Sequence, residues 1–292
     1  MVSLAASEWP FEARWFEHPH GRLHFVDEGP RDAPVLLCLH GNPTWSFYYR
    51  KLIRHLSFRF RVVALDHLGC GRSDKPTDGP YRLADHIDRL GEFVDDLGVD
   101  RLSLAVHDWG GAIGMGLATD RPSAIDKLVV FNTAAFPSPR IPLSINACRV
   151  PGFGAVAIRG LNLFSRVALF RCVVHRNRLT RAVREGYLRP YSDWNARVAQ
   201  LRFVQDIPMT DRHPSRARLE RIAGHLGRLR DRPMLLVWGG RDFCFDESFY
   251  REWRRRFPEA EARWVEDAGH YVLEDAHERI GPWVLDFMQR TA

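Results

Sequence analysis

Cysteine is scarce in this chain and shows no pairing pattern. Five occur in 292 residues (Cys38, Cys70, Cys148, Cys172, Cys244), odd in number, widely spaced and without a CxxC. That excludes a disulfide scaffold and a zinc cluster, and reads as buried thiols in a reducing compartment. Long apolar runs are missing too: none approaches the roughly 18 residues of a membrane span. The opening stretch, MVSLAASEWPFEARWFEH, has neither a basic n-region nor a sustained apolar segment. No secretory signal is therefore expected, and the expected location is cytoplasmic. Internal repeats and low-complexity segments are absent.

Acidic residues run short in one region. Between Pro139 and Arg232 there are 19 arginines against 6 acidic residues, a local +13 in a chain of net charge +6, which leaves −7 for the remainder. These arginines alternate with apolar residues, form no compact run and match no nucleic-acid motif, so nucleic acid is not an expected partner. Arginines on the outer faces of helices are the simplest reading. A docking surface for a partner protein or an anionic membrane is the alternative.

What is present suits a soluble globular protein. Hydrophobic residues make up 45% and charged residues 27%, enough for one large α/β domain or two modest ones. Over the first 133 residues, β-rich runs (LHFVDEG at 23–29, VLLCLH at 35–40, RVVALD at 61–66, LSLAVH at 102–107, KLVVFN at 127–132) alternate with helical patterns at 45–56, 84–98 and 111–120. That alternation predicts a mostly parallel sheet covered on both faces. Residues 134–231 read as short helices rich in Arg, Leu and Phe, with no strand. Sheet texture returns in PMLLVW at 233–238 and ARWVED at 262–267, with helices in DESFYREWRRRF and HERIGPWVLDFMQ. The expected division is a core of 1–133 and 232–292 with a helical cap of 134–231 inserted between two strands.

Open α/β sheets bind ligands beyond the carboxyl ends of their strands. Asn42, Asp108, Asn132, Asp242 and His270 each follow a β-run and so share one rim. Asp108 lies in LAVHDWGGAIG, where an apolar run ends in a sharp turn and a helix begins. Such a turn lifts its apical side chain clear of the sheet, and Val106 stands where its first glycine is usual. Asp108, Asp242 and His270 fall in the order nucleophile, acid, histidine of the α/β-hydrolase triad. Asp246 competes with Asp242 but reads better as the cap of the helix beginning ESFYREW.

An aspartate where a serine is common has a chemical meaning. A hydroxyl needs a base to become nucleophilic, whereas a carboxyl of pKa about 3.9 is ionised at neutral pH unaided. Asp108 can thus attack an electrophilic sp³ carbon or a strained ring directly, which frees His270 for proton transfer. Asp242 would orient His270 and stabilise its charged form. The Trp109 backbone N–H, just after the nucleophile, is placed as an oxyanion donor. The Trp109 indole and the Asn42 amide could converge on a departing anion. A helix N-cap for Asp108 is the dull alternative, and it leaves Asp242 and His270 unexplained.

HGNPTWSFYYR, LDHLGCGRSDKP, VHDWGG and DAGHYVLED together resemble the haloalkane dehalogenases and their close relatives, over essentially the whole chain. The resemblance implies Asp108 as nucleophile, His270 as base, and Asn42 with Trp109 as the halide-holding pair. One dehalogenase branch has a catalytic Glu after the strand matching KLVVF; here that position is Asn132, which points to branches using an Asp in the loop of Asp242. In the cap, FNTAAFPSPR, AVREGYLRPYSDWNARVAQLRFVQDIPM and the WGGRDFCFDE loop resemble the β-lactone decarboxylases of long-chain olefin biosynthesis. Those enzymes turn cis-3,4-dialkyl β-lactones into cis-alkenes and carbon dioxide. The resemblance implies no metal or organic cofactor, an apolar small-molecule substrate, and work beside a β-lactone synthetase and other enzymes of that pathway. Phe136, Phe153, Leu161, Leu163, Phe164, Phe170 and Phe203 are candidates to line a slot for alkyl chains. A haloalkane dehalogenase is the main alternative. An epoxide hydrolase, with Tyr187 or Tyr191 as proton donor, and a non-catalytic binding module are the lesser ones.

Overall fold

The computed structural model describes Ala5 and residues 7–290. Eight strands form one sheet in the order β1-β2-β4-β3-β5-β6-β7-β8. They are β1 (Arg14–Phe16), β2 (Leu23–Glu28), β3 (Val35–Leu39), β4 (Arg61–Leu65), β5 (Leu102–His107), β6 (Ile125–Phe131), β7 (Met234–Gly239) and β8 (Glu261–Val265). The β1–β2 and β2–β4 pairs are antiparallel, and every other neighbouring pair is parallel. Strand β1, only three residues long, lies outside the runs expected from sequence.

The central strands are apolar at successive positions because both faces are covered. Leu37, Leu39, Val63, Leu65, Leu104, Val106 and Leu236 point to one face. There they meet α2 (Leu83–Asp96), α3 (Trp109–Asp120) and α9 (Glu247–Arg256). The intervening Leu36, Cys38, Val62, Ala64, Ala105 and Val237 point to the other, against α1 (Arg50–Leu56) and α10 (Val272–Gln289). The split follows from the two-residue period of a strand. Each fully buried Val or Leu contributes about 1.5–3 kcal/mol. Val106 replaces the usual small residue of the β5 turn because Gly114, one turn into α3, makes room: a Cβ at Gly114 would sit 2.7 Å from Val106 Cγ1.

Register brings the strand ends to one level. Leu39 pairs with Val106, His107 with Phe131, Phe131 with Val237 and Gly239 with Val265. The segments that follow β3, β5, β6, β7 and β8 therefore open on the same rim.

Between β6 and β7 the chain forms α4 (Leu143–Ala147), α5 (Leu163–Cys172), α6 (Arg181–Leu188), α7 (Val198–Gln205) and α8 (Arg216–His225), with short 3₁₀ and π turns and no strand. Helices α5 to α7 are stitched to the rim. Tyr271 N–H donates to the Cys172 carbonyl at 2.8 Å. The Trp45 indole donates to the Gly186 carbonyl at 3.0 Å, and the Tyr191 hydroxyl to the Thr44 carbonyl at 2.8 Å. Helix α8 differs from the rest of this segment. Its Leu219 and Ile222 join the core beside α2 and α3, because its apolar stripe faces the sheet side rather than the rim.

Candidate active site

Asp108 stands at the apex between β5 and α3 with φ 52° and ψ −125°. A non-glycine residue at positive φ is held there only by its surroundings. Here the Thr133 hydroxyl donates to the Asp108 carbonyl, and Asp108 N–H donates to the Asn132 carbonyl at 3.2 Å. The turn aims the carboxylate across the rim at the β3 loop, where Asn42 N–H donates to Asp108 Oδ1 at 2.7 Å. Gly41 must be glycine for this approach, since a Cβ there would lie 2.0 Å from that oxygen. The Trp109 N–H opens α3 and so has no intrahelical acceptor. The positive end of the α3 dipole also favours a carboxylate at this spot.

His270, in the segment between β8 and α10, faces two carboxylates. Its Nε2 lies 3.6 Å from Asp108 Oδ2 and its Nδ1 2.8 Å from Asp242 Oδ2. Asp242 is buried and held from behind: Asn132 Nδ2 donates to Oδ2 at 2.9 Å and Cys244 N–H to Oδ1 at 2.6 Å. Asn132 also exchanges hydrogen bonds with the Gly239 backbone, at 3.2 and 2.8 Å, and so clamps β6 to β7. Asp246 is elsewhere engaged: it caps α9 by accepting from Ser248 N–H at 2.9 Å and pairs with Arg140. His107, stacked on Tyr48 with ring centroids 4.3 Å apart, donates from Nε2 to the His270 carbonyl at 2.9 Å and fixes that backbone.

Electrostatics set the charges. Burial pushes the Asp108 carboxyl up, but His270, His107 and the Asn42 N–H outweigh it, and the group stays below the usual carboxylate range. Burial lowers His270, yet Asp242 and Asp108 raise it to about 10. At neutral pH an Asp108 carboxylate thus faces a His270 imidazolium. Neutralising Asp108 by forming an ester would remove one of the two charges that hold the proton on His270.

A cavity of about 350 Å³ opens in front of Asp108, lined by Asn42, Trp109, His270 and mostly apolar side chains. Asn42 Nδ2 donates one hydrogen to the Gln200 carbonyl of α7 at 3.1 Å; an amide has a second. Among the described residues the Trp109 indole N–H is paired with no acceptor, and its ring lies 5.2 Å from that of Phe203. Phe136, Phe153, Leu163 and Phe164 line the cavity. Leu161, Phe170 and Phe203 do not: Leu161 and Phe170 are exposed outside, and Phe203 is buried behind Trp109 and stacked on His86. Apolar character alone did not reveal which way these side chains point. Tyr187 and Tyr191 are likewise outside the cavity. The Tyr187 hydroxyl donates to Glu274 at 2.6 Å and that of Tyr191 to the Thr44 carbonyl, so the epoxide reading loses its proton donors.

The fold and the site define a class, and the chain belongs to it. A family model described as the α/β-hydrolase fold matches residues 34–277. Within that class the chain is similar to two proteins named cis-3-alkyl-4-alkyloxetan-2-one decarboxylase. That of Shewanella oneidensis is 39% identical over 97% of this chain and 90% of its own length. That of Xanthomonas campestris is 41% identical over 92% of both. Haloalkane dehalogenase 2 of Mycobacterium tuberculosis is 36% identical over 95% of both. Among solved structures, haloalkane dehalogenase from Bradyrhizobium elkani superposes with a TM-score of 0.88 at 25% identity, covering 95% of this chain and 97% of that one.

Proposed function

We propose that this protein is an aspartate-nucleophile decarboxylase of cis-3,4-dialkyl β-lactones, releasing a cis-alkene and carbon dioxide. The observation that carries the reading is an ionised Asp108 at an apolar cavity that Asn42 and Trp109 also line. The names of the 39% and 41% identical relatives favour the lactone over the halide.

The chemistry balances without water or a redox partner. Asp108 Oδ2 attacks C4 of the lactone from the face opposite the ring oxygen. The C4–O bond breaks, and its electron pair leaves as a carboxylate attached to C3. That anion is the counterpart of a halide, and the Asn42 and Trp109 N–H groups receive it. Oδ1 remains against the Asn42 N–H as the ester carbonyl oxygen. Carbon dioxide then departs from C3, its electron pair forms the C3–C4 double bond, and the Asp108–C4 bond breaks to restore the carboxylate. Inversion at C4 followed by anti elimination keeps the two alkyl groups cis. The His270 imidazolium, held by Asp242, stabilises the departing Asp108 carboxylate. Residues 134 to about 214 form the cap over this cavity, a β-lactone synthetase supplies the substrate, and the working compartment is the cytoplasm.

The second reading shares the first step. With a haloalkane, Asp108 would displace halide, and neutral His270 would direct water onto the ester to give an alcohol. Product analysis separates the two. Purified protein given a cis-dialkyl β-lactone should form cis-alkene, and Asp108→Asn should form none. Bromide release from bromoalkanes with the lactone left intact would move the assignment to dehalogenase.

A further inference from the structure

Ten large hydrophobic side chains are exposed among the described residues, and seven of them fall between residues 143 and 170. Leu143 is 87% exposed, Leu161 63% and Phe170 65%, with Val150, Phe153 and Val156 each above half. Single exposed leucines are ordinary, but a contiguous exposed apolar patch on a soluble protein marks an interaction surface.

The same segment carries charge of one sign. From Pro139 to Arg184 there are nine arginines and no lysine, aspartate or glutamate. Arg140 pairs with Asp246, but Arg149, Arg159, Arg166, Arg171 and Arg176 pair with no carboxylate among the described residues. Two of them sit over aromatic rings, one in the patch and one lining the cavity. The Arg176 guanidinium is 3.8 Å from the Phe170 ring centroid, and that of Arg171 is 4.1 Å from Phe243. Apolar side chains ringed by unpaired guanidinium groups are what an interfacial surface needs to meet acyl chains and anionic headgroups together.

The cavity opens on this patch. Of the residues that line it, the exposed ones are Arg140, Ser144, Ala147, Phe153 and Leu163, all between residues 140 and 163. The mouth and the patch are therefore continuous. Arg171, whose Nη1 is 3.5 Å from Ser144 Oγ, joins the two rims.

We propose that this face docks on an anionic lipid bilayer, so that an apolar ligand passes from the acyl region into the cavity without crossing water. The charge selects the partner: a segment of nine arginines with no carboxylate of its own complements a sheet of phosphates. Its apolar side chains come from several short turns rather than one groove, which suits a fluid surface better than a helix or strand. No helix among the described residues is long and apolar enough to cross a membrane, so contact would be peripheral.

The test uses the full chain, without substrate, in co-sedimentation with vesicles of phosphatidylcholine alone and of phosphatidylcholine with 30 mol% phosphatidylglycerol (~0.1 M salt, about one Debye length of 10 Å). Binding to the anionic vesicles only, weakened several-fold at ~0.5 M salt, is expected. Two variants divide the contributions: Leu143→Ser/Leu161→Ser/Phe170→Ser and Arg166→Glu/Arg176→Glu. Each should lower the vesicle partition coefficient by about tenfold or more, with thermal melting and turnover of dissolved short-chain substrate unchanged. Failure to bind anionic vesicles, binding by both variants as strong as that of the unmodified chain, or self-association through this face with no vesicle binding would each overturn the proposal. Because binding is measured without turnover, its failure leaves the catalytic assignment standing.

Discussion

At the scale of single residues, the meeting of the three side chains proposed to do the chemistry was legible. Asp108, Asp242 and His270 each follow a β-run in the right order, and the rim rule for parallel sheets brings them together before any coordinate is known. The Trp109 N–H was expected, but the backbone contribution of Asn42 was not legible. The Asn42 N–H that grips Asp108 Oδ1 belongs to the main chain, and no residue type announces it. On sequence Asn132 was placed on the rim and noted as a position without a Glu, with no role of its own. The structure makes it the clamp behind Asp242, through register between β6 and β7 that only pairing reveals. Asn132→Ala should therefore act on positioning. Misplacement of about 1 Å costs about 10²-fold in rate, so kcat should fall by up to that factor with KM little changed. Steady-state kinetics showing an unaltered kcat would remove Asn132 from the account.

At the scale of elements, alternation and periodicity identified the sheet, its mostly parallel sense and the strand-free insertion between β6 and β7. Two things escaped. Strand β1 is the tripeptide RWF, too short for a two-residue period to register. Helix α8 has the composition of the segment before it but packs on α2 and α3, because side-chain direction, not content, decides which layer a helix joins. The insertion is also tied to the core by a buried charge cluster. Arg50 of α1 donates to both oxygens of Glu274 in α10, one at 3.0 Å, and to Glu8 at 2.9 Å, while Tyr187 of α6 donates to Glu274. Glu274 is held below its ordinary range: burial opposes its ionisation, but Arg50 overrides that. Removing the Glu274 charge leaves the buried Arg50 with Glu8 alone, at a cost of about 3 kcal/mol. Glu274→Gln should lower Tm by roughly 10 °C; a shift of a degree or two in scanning calorimetry would show that the cluster is not a fastening.

Across the whole molecule, the buried histidines set how stability depends on pH. His40, His67, His86 and His107 are held neutral, burial lowering each below the ordinary imidazole value. The unfolded chain takes up these protons below about pH 6.5 and the folded chain resists, so stability falls as the medium becomes acid. His270 works in the other direction. Its folded value of about 10 makes its contribution complete below about pH 6.5 and lost as pH rises toward 10. Stability should peak near pH 7 and fall more steeply on the acid side, where several buried imidazoles, each worth at most about 1.4 kcal/mol per pH unit, act against one. Urea titrations at a series of pH values check this, and a flat profile from pH 5 to 8 would contradict it. The most direct test of the central claim is mass spectrometry of the Asp108 peptide from a millisecond quench series with a cis-dialkyl β-lactone. Ring opening by Asp108 adds the whole lactone and expels nothing, so a transient gain of the full lactone mass on Asp108 is predicted. The same mass on another residue, or alkene accumulating while Asp108 stays unmodified at every time point, would contradict it.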